Sequence, residues 1–375
     1  LHRLTGMEHG KLLEEYRERL EQIGEYLEIL GDSSRLMQII REELHDLVTN
    51  FGDERRTEIT ASKRDLTVED LIPEEDRVVT ISHGGYAKSQ PLDDYRAQRR
   101  GGTGRSATAV KDEDFVEHLL IANTHDTILL FSNVGKVYWM KVFHIPIAGR
   151  GSRGRPVVNM LPLDQGERIT SILPVAEYLE DHYIFMATAS GIVKKTALTD
   201  FSRQRSVGMR AMELDEDDVL IGTAITDGAS DVLLVSSEGK TVRFKETAVR
   251  AMGRTARGVR GIKMGEDQHL IALMIPRVDG RVLTVSEHGY GKRTHVDEFP
   301  VKGRGTQGVI GMQTSERNGR LVGAIQVDAG NEMMLISDQG TLVRCRTDEV
   351  SELGRNTQGV RVIRLKEGES LVSVA

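Results

Sequence analysis

Pairs of glycines recur along this chain in a fixed relation, and that recurrence limits the fold more than any other feature. Six apolar runs each carry a Ser or Thr three residues before a glycine: "VVTISHGGYAK", "ILLFSNVGKVY", "YIFMATASGIVKK", "VLLVSSEGKTVRFK", "VLTVSEHGYGKRT" and "MMLISDQGTLVRCR". The aligned glycines are Gly85, Gly135, Gly191, Gly239, Gly289 and Gly340, at spacings of 50, 56, 48, 50 and 51 residues. A second series follows each of them, Gly104, Gly154, Gly208, Gly258, Gly308 and Gly359, 19 residues later in five units and 17 in the third. Two registers held over six copies are hard to obtain by chance.

A period of about 50 residues with four short strands in each is the pattern of a bladed β-disc. The chain is therefore expected to be mainly β: a six-bladed, propeller-like β-pinwheel over residues 77–375, preceded by a helical segment. The fourth unit shows the parts, with strands expected over 231–236, 241–245, 258–264 and 270–275, and turns at Ser237–Gly239 and Gly265. The first glycine of each unit is expected to supply the positive φ of a tight hairpin.

Residues 1–61 follow a different period. Leu13, Tyr16, Leu20, Ile23, Leu27 and Leu30 alternate spacings of three and four, the seam of a helix that packs on one partner, expected over Met7–Leu30. Gly31 stops it. Asp32 or Ser33 can cap a second helix through Leu36, Ile40, Leu44 and Leu47 to about Val48. Two helices cannot bury so much apolar seam, so the partner is expected elsewhere in a longer parent chain or in another copy of it, and Leu1 reads as a cut end. Residues 62–76 are acidic and lack apolar periodicity, which reads as a linker.

The net charge of −7 is unevenly spread. Residues 1–64 hold 10 basic and 14 acidic groups, 65–76 hold six acids and no bases, and 77–375 hold 40 basic and 37 acidic groups. A mildly positive disc does not by itself select a partner, so the placement of its charges decides. One cysteine, Cys345, excludes an internal disulfide and fits a reducing cytoplasm. No apolar run reaches the roughly 20 residues of a membrane helix, and no partner membrane is expected.

The charges concentrate in one loop of each unit. Aligned on the second glycine, Arg100–Gly104 ("RGGTG") corresponds to Arg150–Gly154 ("RGSRG"), Arg254–Gly258 ("RTARG"), Arg304–Gly308 ("RGTQG") and Arg355–Gly359 ("RNTQG"), with a looser "RQRSVG" at Arg203–Gly208. Loops at equivalent places in successive blades lie along one edge, so Arg105, Arg153, Arg155, Arg205 and Arg257 join the same track. Strand alternation places Val242 and Phe244 inward and Arg243 and Lys245 outward. Arg344 and Arg346 repeat that arrangement, and Lys194, Lys195, Lys292 and Arg293 stand at similar places. Such a curved basic rim without interleaved aromatics suits duplex DNA held by its phosphates. Taken singly, outward cations are ordinarily a solvated face and a repeated glycine ordinarily serves a turn. Only the six-fold recurrence of arginine beside glycine points to a polyanion. A β-propeller platform whose basic rim meets acidic proteins is the alternative. No recognition helix is visible, so weak sequence preference is expected.

Catalytic and metal chemistry find no support in the residues. Asp112–Asp114 and Asp215–Asp218 sit between strands as solvated loops, His125 reads as a structural turn residue, and no glycine loop opens a helix as a nucleotide site requires. Tyr95, followed by Arg96, reads as a structural or stacking residue rather than a nucleophile.

"QRRGGTG", Gln98 to Gly104, resembles the box motif of the bacterial DNA gyrase A family. The similarity extends over essentially the whole chain, through "LTGMEHGKLLEEY", "REELHDLV", "FGDERRTEI", "ANTHD", "VRFKE" and "GRNTQGV". The resemblance implies the end of a coiled-coil arm followed by a pinwheel that wraps the DNA next to the cleavage site, so that the whole enzyme introduces negative supercoils. It carries the wrapping role onto Gln98, Arg99, Arg100, Gly101, Gly102 and Gly104. Thr103 departs from the basic residue common there, which weakens one phosphate contact unless Arg105 replaces it. The intact box and six repeats favour gyrase over the equivalent domain of topoisomerase IV. The resemblance implies double-stranded DNA, gyrase B and a second copy of gyrase A as partners. ATP and Mg belong to gyrase B, the cleavage tyrosine lies outside this chain, and no cofactor is expected here.

Overall fold

A computed structural model describes residues 2–53, 57, 68–82, 84–92, 116–149, 152–328, 330–339 and 342–374. The chain divides into two compact units, Leu1–Asp65 and Leu66–Ala375.

The first unit consists of α1 (His2–Gly31) and α2 (Ser33–Phe51). Asp32 caps α2, its Oδ1 accepting the Ser34 amide at 2.9 Å, which satisfies one of the unpaired first-turn donors. Every seam residue from Leu13 to Leu47 named above is exposed, so the two helices leave the seam uncovered by described residues.

In the second unit the hairpin glycines behave as expected: φ is +72° to +82° at Gly85, Gly135, Gly191, Gly239 and Gly289, while Gly340 lies outside the described residues. The first repeat supplies β1 (Asp76–Ser82), β2 (Tyr86–Pro91) and β3 (Val116–Asn123). The second supplies β4 (Thr127–Ser132), β5 (Lys136–Lys141), the two-residue β6 (Arg155–Pro156) and β7 (Ile169–Val175). The third and fourth repeat that order as β8 (Tyr183–Thr188), β9 (Ile192–Ala197), β10 (Met209–Arg210), β11 (Leu220–Thr226), β12 (Asp231–Ser236), β13 (Lys240–Lys245), β14 (Val259–Arg260) and β15 (Leu270–Met274). The last two supply β16 (Arg281–Ser286), β17 (Tyr290–His295), β18 (Val309–Ile310), β19 (Leu321–Val327), β20 (Glu332–Ser337), β21 (Leu342–Arg346), β22 (Val360–Arg361) and β23 (Leu371–Val374).

The expected third strand of each repeat does not stay in its own blade. Sheet orders are β3-β1-β2-β6, β7-β4-β5-β10, β11-β8-β9-β14, β15-β12-β13-β18 and β19-β16-β17-β22, so each two-residue strand closes the sheet of the repeat before it. The sixth sheet has three described strands, β23-β20-β21, and the corresponding segment of the first repeat falls within 93–115, outside the described residues. Strands β3, β7, β11, β15, β19 and β23 neighbour one another in turn and form the inner edge, which puts the exchanged strands and the long loops before them at the rim.

The core lies between blades rather than beneath a sheet. Leu129 and Phe131 of one blade pack with Ile184 and Met186 of the next, Phe185 and Val193 with Val232 and Phe244, and Leu283 and Val285 with Met333 and Leu335. A sheet sandwiched in this way is covered on both faces. Its middle strand therefore reads as a continuous apolar run, and β4 is buried at every residue.

The acidic segment read as a linker is partly docked. Lys141 Nζ donates to Glu69 at 2.7 Å, Glu75 N donates to Thr124 Oγ1 at 3.2 Å, and His125 Nε2 lies 2.8 Å from the Ile72 carbonyl. His125 is thus a structural residue at a turn.

Candidate nucleic-acid interface

Sandwiching corrects the outward placement of five second-strand cations, while Lys245, Arg344 and Arg346 are exposed as expected. Lys194 and Lys292 are fully buried, Lys195 is 6% exposed, and the Arg243 and Arg293 side chains are each 13% exposed. Alternation holds along the strands, but in the first five repeats the middle of each second strand faces protein on both sides, because the neighbouring repeat covers the side that a lone sheet would show to water.

The two buried positions do different work. Four residues after the hairpin glycine, each of the first five blades donates a side-chain hydrogen bond to the 3-10 turn of the next repeat or the residue that ends it. Ser89 Oγ reaches Ile145 O (3.0 Å), Trp139 Nε1 reaches Phe201 O (2.8 Å), and Lys195 Nζ reaches Glu246 O (3.3 Å). Arg243 Nη1 reaches Val296 O (3.0 Å) and Arg293 Nε reaches Val350 O (2.8 Å). Four residue types and one geometry make this peg invisible to a search for repeated letters. Lys195 also stands 3.6 Å from the buried Glu246 carboxylate, which accepts from Thr226 Oγ1 and Ser230 N.

One residue earlier, lysine alternates with uncharged residues: Lys88, Tyr138, Lys194, Val242 and Lys292. The lysines reach carbonyls of the arginine–glycine loop laid along their blade. Lys88 Nζ donates to Gly149 O and Ser152 O, and Lys194 Nζ to Arg254 O at 2.5 Å and Ala211 O at 2.6 Å. Lys292 Nζ donates to Gly354 O at 2.7 Å, Arg355 O at 2.5 Å and Thr357 Oγ1 at 3.1 Å. Burial pulls the Lys194 ammonium down to about 8, helped by Arg254 and opposed by Asp200. Burial pulls Lys292 to about 8, opposed by Glu298 and helped by Arg355.

These shifts have a signed consequence. Below about pH 8 both states are protonated and the cost of burying the charges is fully in force. Between about 8 and the unfolded value near 10.5 the unfolded chain holds more protons, so stability rises with pH, by at most about 1.4 kcal/mol per unit per lysine. Denaturant unfolding from pH 7.5 to 10.5 should show wild type gaining on Lys194→Met/Lys292→Met across that window, and parallel profiles would refute the assignment.

The loop arginines link successive loops. Arg304 Nη1 donates to Arg260 O at 3.1 Å and its Nε to Ala248 O at 2.9 Å, while Arg355 Nη1 donates to Ile310 O at 3.1 Å. The half-buried Arg254 turns its guanidinium onto Met209 in the same way. Gly305 N adds a bond to Gly261 O at 2.6 Å. Part of the arginine–glycine recurrence is therefore structural: the loops at 251–258, 301–308 and 351–359 are each stapled to the exchanged strand before them.

Other expected contacts divide by what they meet. Arg155, Arg203 and Arg205 are exposed, as is Arg153, whose guanidinium lies 6.0 Å from the Tyr86 ring centroid; none of the four has an acidic partner among the described residues. Lys245 pairs with Asp231 at 2.7 Å, Arg257 with Asp215, Arg344 with Glu332, and Arg346 with Asp348 at 3.3 Å. Burial pushes the Asp231 carboxyl up, but Lys245 and Arg243 outweigh it and hold it below its ordinary range. Gln98, Arg99, Arg100, Gly101, Gly102, Thr103, Gly104, Arg105 and Arg150 lie outside the described residues, as do Tyr95 and Asp112–Asp114.

Sequence reasoning missed Arg210, Arg260 and Arg361, the exposed second residues of three exchanged strands. Arg210 has only Glu213 at 3.9 Å, Arg260 has no acidic partner among the described residues, and Arg361 Nη2 donates to Tyr290 Oη at 2.9 Å. The repeated "MR", "VR" and "VR" after the second glycine was the available signal.

A family model described as DNA gyrase C-terminal domain, β-propeller, matches residues 76–123, 126–176, 182–227, 230–277, 280–328 and 331–375, one segment per repeat. The chain belongs to the DNA gyrase C-terminal domain family. The DNA gyrase A protein of Salmonella typhimurium is 60% identical and that of Pseudomonas aeruginosa 56% identical across the whole of this chain. The chain spans 43% and 45% of those two proteins, less than half their length. A solved DNA gyrase A C-terminal domain superposes with a TM-score of 0.64 at 28% identity, covering 80% of this chain and 99% of that one. The C-terminal domain of a DNA topoisomerase IV superposes at 0.70 and 26% identity, covering 81% and 94%. The pinwheel shape is thus shared by both topoisomerases, and the gyrase C-terminal domain family is set by sequence. No described helix of this member is long and apolar enough to cross a membrane.

Proposed function

We propose that the chain binds duplex DNA along its rim by phosphate contacts with little sequence preference, and bends or wraps it as the C-terminal part of gyrase A. The observation that carries this reading is the recurrence of exposed arginines at the exchanged strands and the loops before them: Arg153, Arg155, Arg203, Arg205, Arg210, Arg260 and Arg361, with Arg304 and Arg355 stapling loops to the preceding strands. Bending a few tens of base pairs costs several kcal/mol, about 1–6 by elastic estimates, so many separated contacts are needed to offset it. In the parent the chain serves an A2B2 assembly with gyrase B and a second gyrase A, in the bacterial cytoplasm. ATP and Mg act on gyrase B, and this chain contributes wrapping rather than cleavage or hydrolysis. The box, Gln98 to Gly104 with Arg105, is assigned to the same DNA path.

Ligating nicked plasmid in the presence of the chain should leave a positive linking-number shift once protein is removed. Absence of salt-sensitive binding would instead favour an acidic protein partner. Arg210→Ala/Arg260→Ala/Arg361→Ala should lower the slope of log affinity against log salt by about 2.7, about 0.9 per lost phosphate contact. An unchanged slope would remove these three residues from the DNA path.

A further inference from the structure

We propose that Lys88, Lys194 and Lys292 are positioning residues, buried clasps that hold the rim loops of alternate blades in the form that presents Arg155, Arg260 and Arg361 of the exchanged strands that follow them. The inference rests on the DNA-wrapping reading. It concerns groups that touch the loop backbone and not the nucleic acid.

A fully buried ammonium is costly unless its donors are satisfied, and the described acceptors here are loop carbonyls, a loop hydroxyl and, for Lys194, the Ala211 carbonyl, rather than a carboxylate. Lys292 uses three acceptors, matching its three N–H donors, and two of them are the carbonyls of Gly354 and Arg355. Lys194 takes the Arg254 carbonyl, and Lys88 takes those of Gly149 and Ser152. For Lys194 and Lys292 an acceptor is the arginine's own peptide group, so turning that carbonyl inward sets the direction in which the chain leaves the arginine. Counted back from Gly154, Gly258 and Gly359, the acceptors recur at the same places: Gly149 and Gly354 five residues before, Arg254 and Arg355 four before, Ser152 and Thr357 two before, so lysine and loop form one repeated device.

The intervening blades lack the device. Tyr138 sends its hydroxyl to the Glu167 carboxylate at 2.9 Å, away from the loop, and Val242 has no donor. Loops 251–258 and 351–359 are therefore clasped, as are Gly149 and Ser152, while 203–208 and 301–308 rest on uncharged side chains. Every second rim loop is thus held from beneath by an ammonium, whereas 301–308 is held instead through Arg304 and the Gly305 amide.

The test compares wild type with Lys292→Met and Lys194→Met in the 375-residue chain. In hydrogen exchange read by mass spectrometry, peptides over 351–358 or 251–257 should exchange at least about tenfold faster, with 301–308 unchanged, and the salt slope of duplex binding should fall by about 1 for the released loop. Equal acceleration in all blades, or native exchange in the loop facing the substituted lysine, would overturn the proposal. So would loop release with an unchanged salt slope, since a merely structural lysine predicts that. Should Lys292→Met fail to fold, Thr357→Val removes one acceptor without stranding a charge, and it should accelerate exchange over 354–358 several-fold; no acceleration there overturns the clasp. Exchange is read without DNA, so wild-type chain that binds no duplex would refute the wrapping reading while leaving the clasp to be decided by exchange.

Discussion

Gly308→Ala should cost upwards of about 3 kcal/mol, read as a fall in the urea midpoint with unchanged slope. Two effects add. Gly308 has φ of +73°, which strains any other residue, and a Cβ there would sit 2.1 Å from the Thr241 carbonyl oxygen and 2.7 Å from Val242 Cγ2. The backbone approaches so closely because β18 must pair with β13 through Lys240↔Ile310 and Thr241↔Val309. Displacing it unzips the edge that joins the fourth and fifth repeats. Gly258 faces the same obstacle, its Cβ 2.6 Å from the Val193 carbonyl oxygen. Gly253, in the same kind of loop, has open space around its Cβ, and Gly253→Ala should change stability by less than about 0.5 kcal/mol. Equal effects at Gly308 and Gly253 would show that strand exchange does not require the glycine.

Lys195→Met should cost about 3–5 kcal/mol while leaving the salt slope of DNA binding unchanged. The substitution strands the fully buried Glu246 carboxylate, whose other partners are the Thr226 hydroxyl and the Ser230 amide, and it removes the peg to the next repeat. The ammonium lies 4.6 Å from the Tyr183 ring centroid, an aromatic wall that methionine can still occupy, so lost packing is a small part of the cost. Adding Glu246→Gln should recover much of the loss, because the uncompensated charge is then gone. A rim ligand would show the opposite pattern in chemical unfolding and titration: native stability and a shallower salt slope.

These residues show where sequence reading ended. Lys195, Arg243 and Arg293 look like outward cations because strand alternation was combined with the assumption that one face of each sheet meets water. Trp139 and Ser89, which occupy the same place, carried no charge to attract notice. The shared role follows from the 3-10 turn of the next repeat reaching over the strand, a contact between residues some 50 to 60 apart in the chain. Arg210, Arg260 and Arg361 were equally legible as letters, but the reason to select them is that their strands are at the rim, which depends on the exchange.

The sequence by itself determined the number of blades, the hairpin at each first glycine, the capped helical pair and the basic loop repeated along the chain. Each of these rests on local chemistry: glycine at positive φ, an apolar run between turns, and an aspartate accepting first-turn amides. Tertiary structure decided which sheet each short strand joins, and therefore which cations are clasps, which are pegs and which remain for a ligand. The physical reason is that a sheet covered on both faces leaves only its outer edge to solvent, and the donated strand and its loop, not the order of residues within one repeat, define that edge.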